Sequence, residues 1–224
     1  GQGRSAYDSS GNSNTGTLVR GTGGLLWKAS TGTSIMFDNP YALDFDGKDD
    51  YVDVGDITEI NLTSKATISG WFKQPIIDVR EGLFGKTNGG SASNDYELEA
   101  ITFSDGKLYT YTEATNGDFI WGRFDYSTAV SANTWFHYAF VFNGSGIGDE
   151  DKMKIYINGV QQTLVFLAGK NVSSTLSGDL DGIPFEIGHA ADNGLYWNGS
   201  IDEVRIYDVA LSADEVHNLA RGGY

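Results

Sequence analysis

Six side chains on three neighbouring stretches are spaced so that they could act together. Glu97 and Glu99, Tyr109 and Tyr111, and Trp121 and Arg123 each occupy alternate positions in runs that read as β-strands. Leu98, Leu108, Ile120 and Phe124 fall on the opposite parity. If that aliphatic side faces a core, the six rings and charges share one outer surface. Rings laid against sugar C–H faces, with carboxylates and a guanidinium for hydroxyls, make a glycan platform; an Arg fork would also hold a carboxylate or sulfate. The same rings covered by loops would instead form a second core with the glutamates at its rim. Two loops could frame the surface: 86–94, opening with Lys86, and 189–197, closing with Tyr196 and Trp197. Those three residues join the ligand-binding candidates.

A second chemistry is suggested near the C-terminus. The turn Asn198-Gly199 opens an alternating strand in which Asp202, Val204 and Ile206 share one face and Ile201, Glu203, Arg205 and Tyr207 the other. Taking Val204 and Ile206 as core-facing puts Asp202 inward at the start of the strand. A charged, unpaired carboxylate there would cost several kcal/mol. A bound cation or a set of backbone N–H groups removes that cost, and so does a wet strand end where Asp202 caps a turn. His137, inside an apolar run, reads as a packed histidine.

The elements that must position these groups are nearly all β. Strands are predicted at 41–45 and 51–54, joined as a hairpin by the acidic turn Asp46-Gly-Lys-Asp-Asp50, then at 66–73, 82–86, 95–101, 107–112 and 119–124. The run 134–142 is apolar on both faces, the mark of a central strand covered on both sides. Strands at 152–157 and 160–166 are joined by Asn158-Gly159, the strongest short hairpin signal in the chain. Strands at 184–188 and 199–207 finish the set. About a dozen short strands at regular spacing predict an all-β, two-sheet antiparallel sandwich. One helix is predicted at 212–221, with Ser212 as N-cap, Glu215 completing a capping box, and Leu211 and Val216 as a hydrophobic staple. Residues 1–40 read as a decorated loop region with one or two short strands, 41–211 as the sandwich core, and the whole as a single domain.

Composition sets the limits. The chain has 224 residues, 30 glycines, 3 prolines and no cysteine, which suits many strands joined by tight turns without disulfides. A net charge of −15 argues against nucleic acid and against anionic membrane surfaces. No apolar run approaches the roughly 20 residues of a membrane span. Dispersed acidity suits an extracellular, calcium-rich setting, and a start at Gly1 without Met fits a processed or excised piece.

Taken in order, several segments resemble the laminin G-like, concanavalin A-like jelly-roll modules of extracellular proteins. These are Asp8-Ser-Ser-Gly-Asn12, Leu43-Asp-Phe-Asp-Gly47 with Asp50-Tyr-Val-Asp-Val54, Thr67-Ile-Ser-Gly-Trp71 and Leu83-Phe-Gly-Lys86. Thr134-Trp-Phe-His-Tyr-Ala139, Lys154-Ile-Tyr-Ile-Asn-Gly159 and Gly199-Ser-Ile-Asp-Glu-Val-Arg-Ile-Tyr207 continue the series. The resemblance implies a jelly-roll β-sandwich, a structural calcium held by Asp46, Gly47 and Asp202, and binding of a polysaccharide or other glycan, or of an extracellular protein. Such modules usually open with a strand ending in aromatic-Asp-Glu, which has no counterpart before Gly3. Glycoside hydrolases and lyases of the same fold are the enzymatic rival. Glu97 and Glu99, with Cα atoms about 6.6 Å apart, fall in the range of paired glycosidase carboxylates. The hydrolase pattern Glu-x-Asp-x-x-Glu is missing, as are G-x-S-x-G and HExxH. The expectation is a non-catalytic, extracellular or surface-displayed binding module.

Overall fold

A computed structural model describes the chain except residues 1–2, 22–25, 30–40, 62, 88–95, 114–118, 168–173, 177–181, 191–193 and 223–224. Its strands, in chain order, are β1 (Ser5–Ala6), β2 (Gly16–Val19), β3 (Leu26–Ala29), β4 (Tyr41–Asp46), β5 (Tyr51–Asp53), β6 (Lys65–Lys73), β7 (Glu81–Thr87), β8 (Tyr96–Thr102) and β9 (Lys107–Glu113). They continue with β10 (Phe119–Asp125), β11 (Phe136–Asn143), β12 (Met153–Ile157), β13 (Val160–Gln161), β14 (Val165–Leu167), β15 (Glu186–Ile187), β16 (His189–Ala190), β17 (Leu195–Tyr196) and β18 (Asn198–Tyr207). One sheet runs β1-β2-β5-β15-β7-β8-β9-β10-β14, the other β13-β12-β11-β6-β18-β4-β3, and β16-β17 form a separate small ribbon. All pairings are antiparallel, and the two large sheets close face to face as a jelly-roll sandwich.

The core lies between the sheets. Leu98, Ala100, Leu108, Ile120 and Phe124 point in from the nine-stranded side and meet Phe72, Phe136, Tyr138, Phe140 and Ile155 from the other. Each large apolar side chain among them contributes roughly 1.5–3 kcal/mol on burial. The alternation seen at 95–124 is therefore the core pattern, and it turns the residues of opposite parity outward.

The doubly apolar run becomes β11, held between β12 and β6 and buried along its length except at Asn143. Its outer side is covered by the C-terminal helix (Ala213–Ala220), whose Val216 packs on Ala139, Val141 and Tyr156 with Leu211 beside it. Ser212 caps that helix and both arms of the capping box with Glu215 are made. His137 is buried edge-on to Trp71, and burial together with Arg205 pushes its imidazole down to about 4.

One of the two expected hairpins is instead a crossing between sheets. β4 pairs with β18 and β3, whereas β5 pairs with β2 and β15 in the other sheet. The acidic turn after Phe45 therefore rounds a corner of the sandwich. Asn158 and Gly159 do close a tight hairpin with both φ angles positive, at 51° and 76°. The second strand then ends at Gln161, and the chain crosses over to pair Val165–Leu167 with β10. Among the described residues of 1–40 there are three short strands rather than one or two, β1 and β2 at one end of the nine-stranded sheet and β3 at the edge of the other.

Candidate functional site

Strands β8, β9 and β10 bring their outward residues into one register. Glu99 lies across from Tyr111, Tyr111 from Trp121, and Trp121 from Leu167. One pleat further along, Ile101, Tyr109 and Arg123 form the neighbouring row. This gathers Glu99, Tyr109, Tyr111, Trp121 and Arg123 on one outer face, the arrangement their spacing suggests. Glu97 lies on β8, and its side chain is outside the described residues.

A cavity of about 380 Å³ opens on this face, within the usual size of small-ligand sites. Tyr109, Tyr111 and Trp121 line it with Glu99, and Arg80, Phe103, Ile101 and Leu167 complete the wall. The rings touch one another: Tyr109 and Trp121 centroids are 5.7 Å apart, and Tyr111 and Trp121 lie edge to face at 6.4 Å. The Arg123 guanidinium donates to the Tyr109 hydroxyl at 2.8 Å and lies over that ring. The Tyr109 hydroxyl in turn donates to Asp105 at 3.3 Å. Arg80 sits over Phe103, 4.9 Å from the ring centre. Two fork-shaped donors therefore stand beside a surface of four rings, two aliphatic side chains and the Glu99 carboxylate.

One side of the face is walled by the β16-β17 ribbon. It lies flat on β7 because Gly82 and Gly85 have no side chain. A Cβ on Gly82 would fall 2.4 Å from the Ala190 nitrogen, and one on Gly85 3.1 Å from the Ala190 Cα. Ala190 and Leu195 then pack on Ile101 and Phe103. The loop 189–197 thus frames the face, although not with the residues expected.

Tyr196 stacks on His189, with ring centres 4.3 Å apart, and Tyr51 packs against both rings, 5.3 Å from the imidazole and 6.4 Å from Tyr196. His189 Nδ1 meets the Glu186 carboxylate at 2.6 Å. Tyr196 therefore belongs to this neighbouring cluster and does not line the cavity. Trp197 is fully buried, edge-on to Phe72 at 5.6 Å, because it leads the chain from the ribbon into β18 through the core. Lys86 is fully buried as well: its ammonium donates to Asp56 and to the Ile183 carbonyl, both at 2.6 Å. A register shift between Gly82 and Phe84 in the β7–β8 pairing sets Lys86 opposite inward Leu98, on the side of Phe84 and away from the outer face.

The acidic corner and Asp202 are separated. Asp46 pairs with Asn198, so Asp202 lies four residues further along β18, about 13 Å away. Val204 and Ile206 face the core as expected, but Asp202 does not share their side. A bulge falls between Asp202 and Arg205, with Glu203 at φ 50°. It lets Ile201 before it and Val204 and Ile206 after it all face the core. Asp202, next to inward Ile201, is turned outward, and its carboxylate accepts from the Glu203 N–H at 2.9 Å. Asp46, Asp49 and Asp50 do converge, with carboxylate oxygens within 4.8 Å of one another. Asp50 is fully buried there, accepting from the Gly21 N–H at 3.1 Å and the Asp46 N–H at 3.3 Å.

Phe103 and Phe119 continue the outward parity of Ile101 and Trp121 and can be read from it. Arg80 arrives from the connection before β7 and Leu167 from the strand that changes sheets, and neither carries a local signal.

The solved structures similar to this chain share its sandwich. Domain 4 of AbnA, a GH43 extracellular arabinanase from Geobacillus stearothermophilus solved with arabinotriose, superposes with a TM-score of 0.62 at 20% identity, covering 96% of this chain and 92% of that one. The CBM40 of a Ruminococcus gnavus IT-sialidase, bound to α2,3 sialyllactose, gives 0.57 at 18% identity over 80% and 96% of the two chains. The botulinum neurotoxin serotype D ligand binding domain in complex with N-acetylneuraminic acid gives 0.59 at 17% identity over 96% and 48%. The chain spans about half the length of the neurotoxin binding domains that it matches. Among curated proteins, no sequence matches it significantly. The family Laminin_G_3, of the concanavalin A-like lectin/glucanases superfamily, matches residues 46–217, and the chain belongs to that family.

Proposed function

We propose that the chain is a non-catalytic carbohydrate-binding module of an extracellular protein. The observation that carries this reading is the row Glu99–Tyr111–Trp121 on the cavity wall, with Arg123 beside it. Rings offer flat apolar contact to a sugar's C–H faces, and the carboxylate and guanidinium offer opposite hydrogen-bonding characters to its hydroxyls. The arabinotriose, sialyllactose and N-acetylneuraminic acid held by the three similar structures support a saccharide as the ligand. Electrophoresis through gels cast with arabinan, xylan, β-glucan or pectin tests it. One of these gels retards the wild type, and Trp121→Ala moves freely. Release of sugar by the wild type would overturn the non-catalytic reading.

Calcium belongs to the same proposal. Asp46, Asp49 and Asp50 offer hard carboxylate oxygens at the corner where the chain changes sheets, a donor set suited to that ion. Three carboxylates so close repel one another, and a bound divalent cation would relieve the repulsion and fix the corner. Asp202 has no part in this site.

A further inference from the structure

The rings of the outer face do not form a compact patch. They form a diagonal stripe. Phe103 and Tyr109 are 4.5 Å apart, Tyr109 and Trp121 5.7 Å, Trp121 and Tyr111 6.4 Å, and Tyr111 and Phe119 5.4 Å. The register shows the direction. Phe103 lies beside Lys107, where its N–H donates to the Lys107 carbonyl at 2.9 Å. Tyr109 pairs with Arg123, Tyr111 with Trp121, and Phe119 with Glu113. From the Phe103 row to the Phe119 row is three two-residue steps along the strands, about 20 Å. The stripe crosses from β8 to β10 over that distance.

We infer that this site binds an internal stretch of a linear polysaccharide, several sugar units long, rather than a single terminal sugar. The inference rests on the carbohydrate-binding reading and narrows it to a ligand class. A terminal monosaccharide would be served by one ring and a few converging polar groups in a closed pocket. Here one ring follows another at spacings comparable to the repeat of units along a glycan, over a span that no single sugar covers. The central ring, Trp121, meets neighbours on both sides. Phe103 and Phe119 contact only the ends of a bound chain.

Calorimetric titration with arabino-, xylo-, gluco- and galacturono-oligosaccharides of two to six units tests this. For the series derived from the retarding gel, affinity rises steeply beyond the disaccharide and levels off at four or five units. Phe119→Ala weakens the long oligosaccharides about tenfold, the loss of one stacked ring, and leaves the disaccharide unchanged. Trp121→Ala weakens every length. A gel that retards the protein, with an affinity already complete at one or two units, overturns the inference and leaves the carbohydrate reading standing. Equal losses at every length in Phe119→Ala overturn it in the same way. Free passage of the wild type through all four gels overturns the carbohydrate reading itself. Circular dichroism melts of each variant separate lost binding from lost folding.

Discussion

Lys86 reaches the Asp56 carboxylate at 2.6 Å from a position with no solvent exposure. This pair ties the end of β7 to the loop after β5, and the Ile183 carbonyl takes a second ammonium proton. The ammonium beside Asp56 and the Gly182 N–H hold that carboxyl below the usual range against its own desolvation. Asp56 keeps about a quarter of its side chain exposed, so the cost of burial falls mainly on the lysine.

Asp56→Ala should therefore be the more damaging of the two truncations. It strands a buried cation, a loss of about 3 kcal/mol or more, which lowers the melting temperature by roughly 6–12 °C for a chain of this size. Lys86→Met keeps the volume, removes the charge and should cost much less. Denaturation midpoints decide the order. Glycan retardation by Lys86→Met should equal that of the wild type, because this side chain faces away from the cavity.

Glu81 makes stability depend on pH. It is buried at the start of β7, where it accepts from Gln74 at 2.8 Å and from the Asn198 N–H at 3.1 Å, and burial raises its carboxyl to about 7. The folded chain therefore holds this proton more tightly than the unfolded chain. The resulting stabilisation is complete below the unfolded value near 4.5 and fades as pH climbs through 7. It amounts to about 3 kcal/mol at most. Glu81→Gln copies the protonated acid, so its unfolding free energy should lose that slope between about pH 5 and pH 8. Parallel profiles for the two proteins would show that Glu81 does not titrate in this window.

Calcium should raise the melting temperature, and a chelator should reverse the rise. At a hundredfold excess over the dissociation constant the gain is about 2.7 kcal/mol. Asp49→Asn and Asp50→Asn should abolish the calcium-dependent shift whatever their own melting temperatures. Asp202→Asn should keep it, being about 13 Å along the strand from the corner. Identical melts of the wild type with calcium and with chelator would remove the ion from the proposal.

The contrast between Asp202 and the ligand face shows how far residues alone can be read. Strict alternation at 95–124 is legible because β8, β9 and β10 run without a bulge through their central pairs, so sequence parity and sheet face coincide. Parity misplaces Asp202 for the converse reason: one extra residue at Glu203 reverses it within a single strand. Lys86 and Trp197 escape a local reading because burial of a lysine or a tryptophan is set by partners distant in sequence, Asp56 and Phe72. The capping box at Ser212 and Glu215 is local and needs no such knowledge. The crossings after Phe45 and Gln161 depend on which sheet has a free edge, and turn residues do not encode that.

Gly82 and Gly85 give the last test, since they hold the ribbon that walls the ligand face. Neither needs an unusual backbone angle, so the effect of a methyl group there is purely steric. At Gly82 the new Cβ would fall 2.4 Å from the Ala190 nitrogen and 2.7 Å from the Leu195 carbonyl oxygen, both backbone atoms that cannot rotate away. The ribbon must lift, which pulls Ala190 and Leu195 off Ile101 and Phe103. At Gly85 the nearest atoms stand at 3.1 and 3.2 Å, and a shift of a few tenths of an ångström accommodates them. Gly82→Ala should therefore lose about 1–3 kcal/mol, the usual cost of overpacking, and weaken glycan binding as the wall moves. Gly85→Ala should lose less of both. Equal retention of the two variants with unequal stabilities would show that the ribbon supports the sheet without shaping the site.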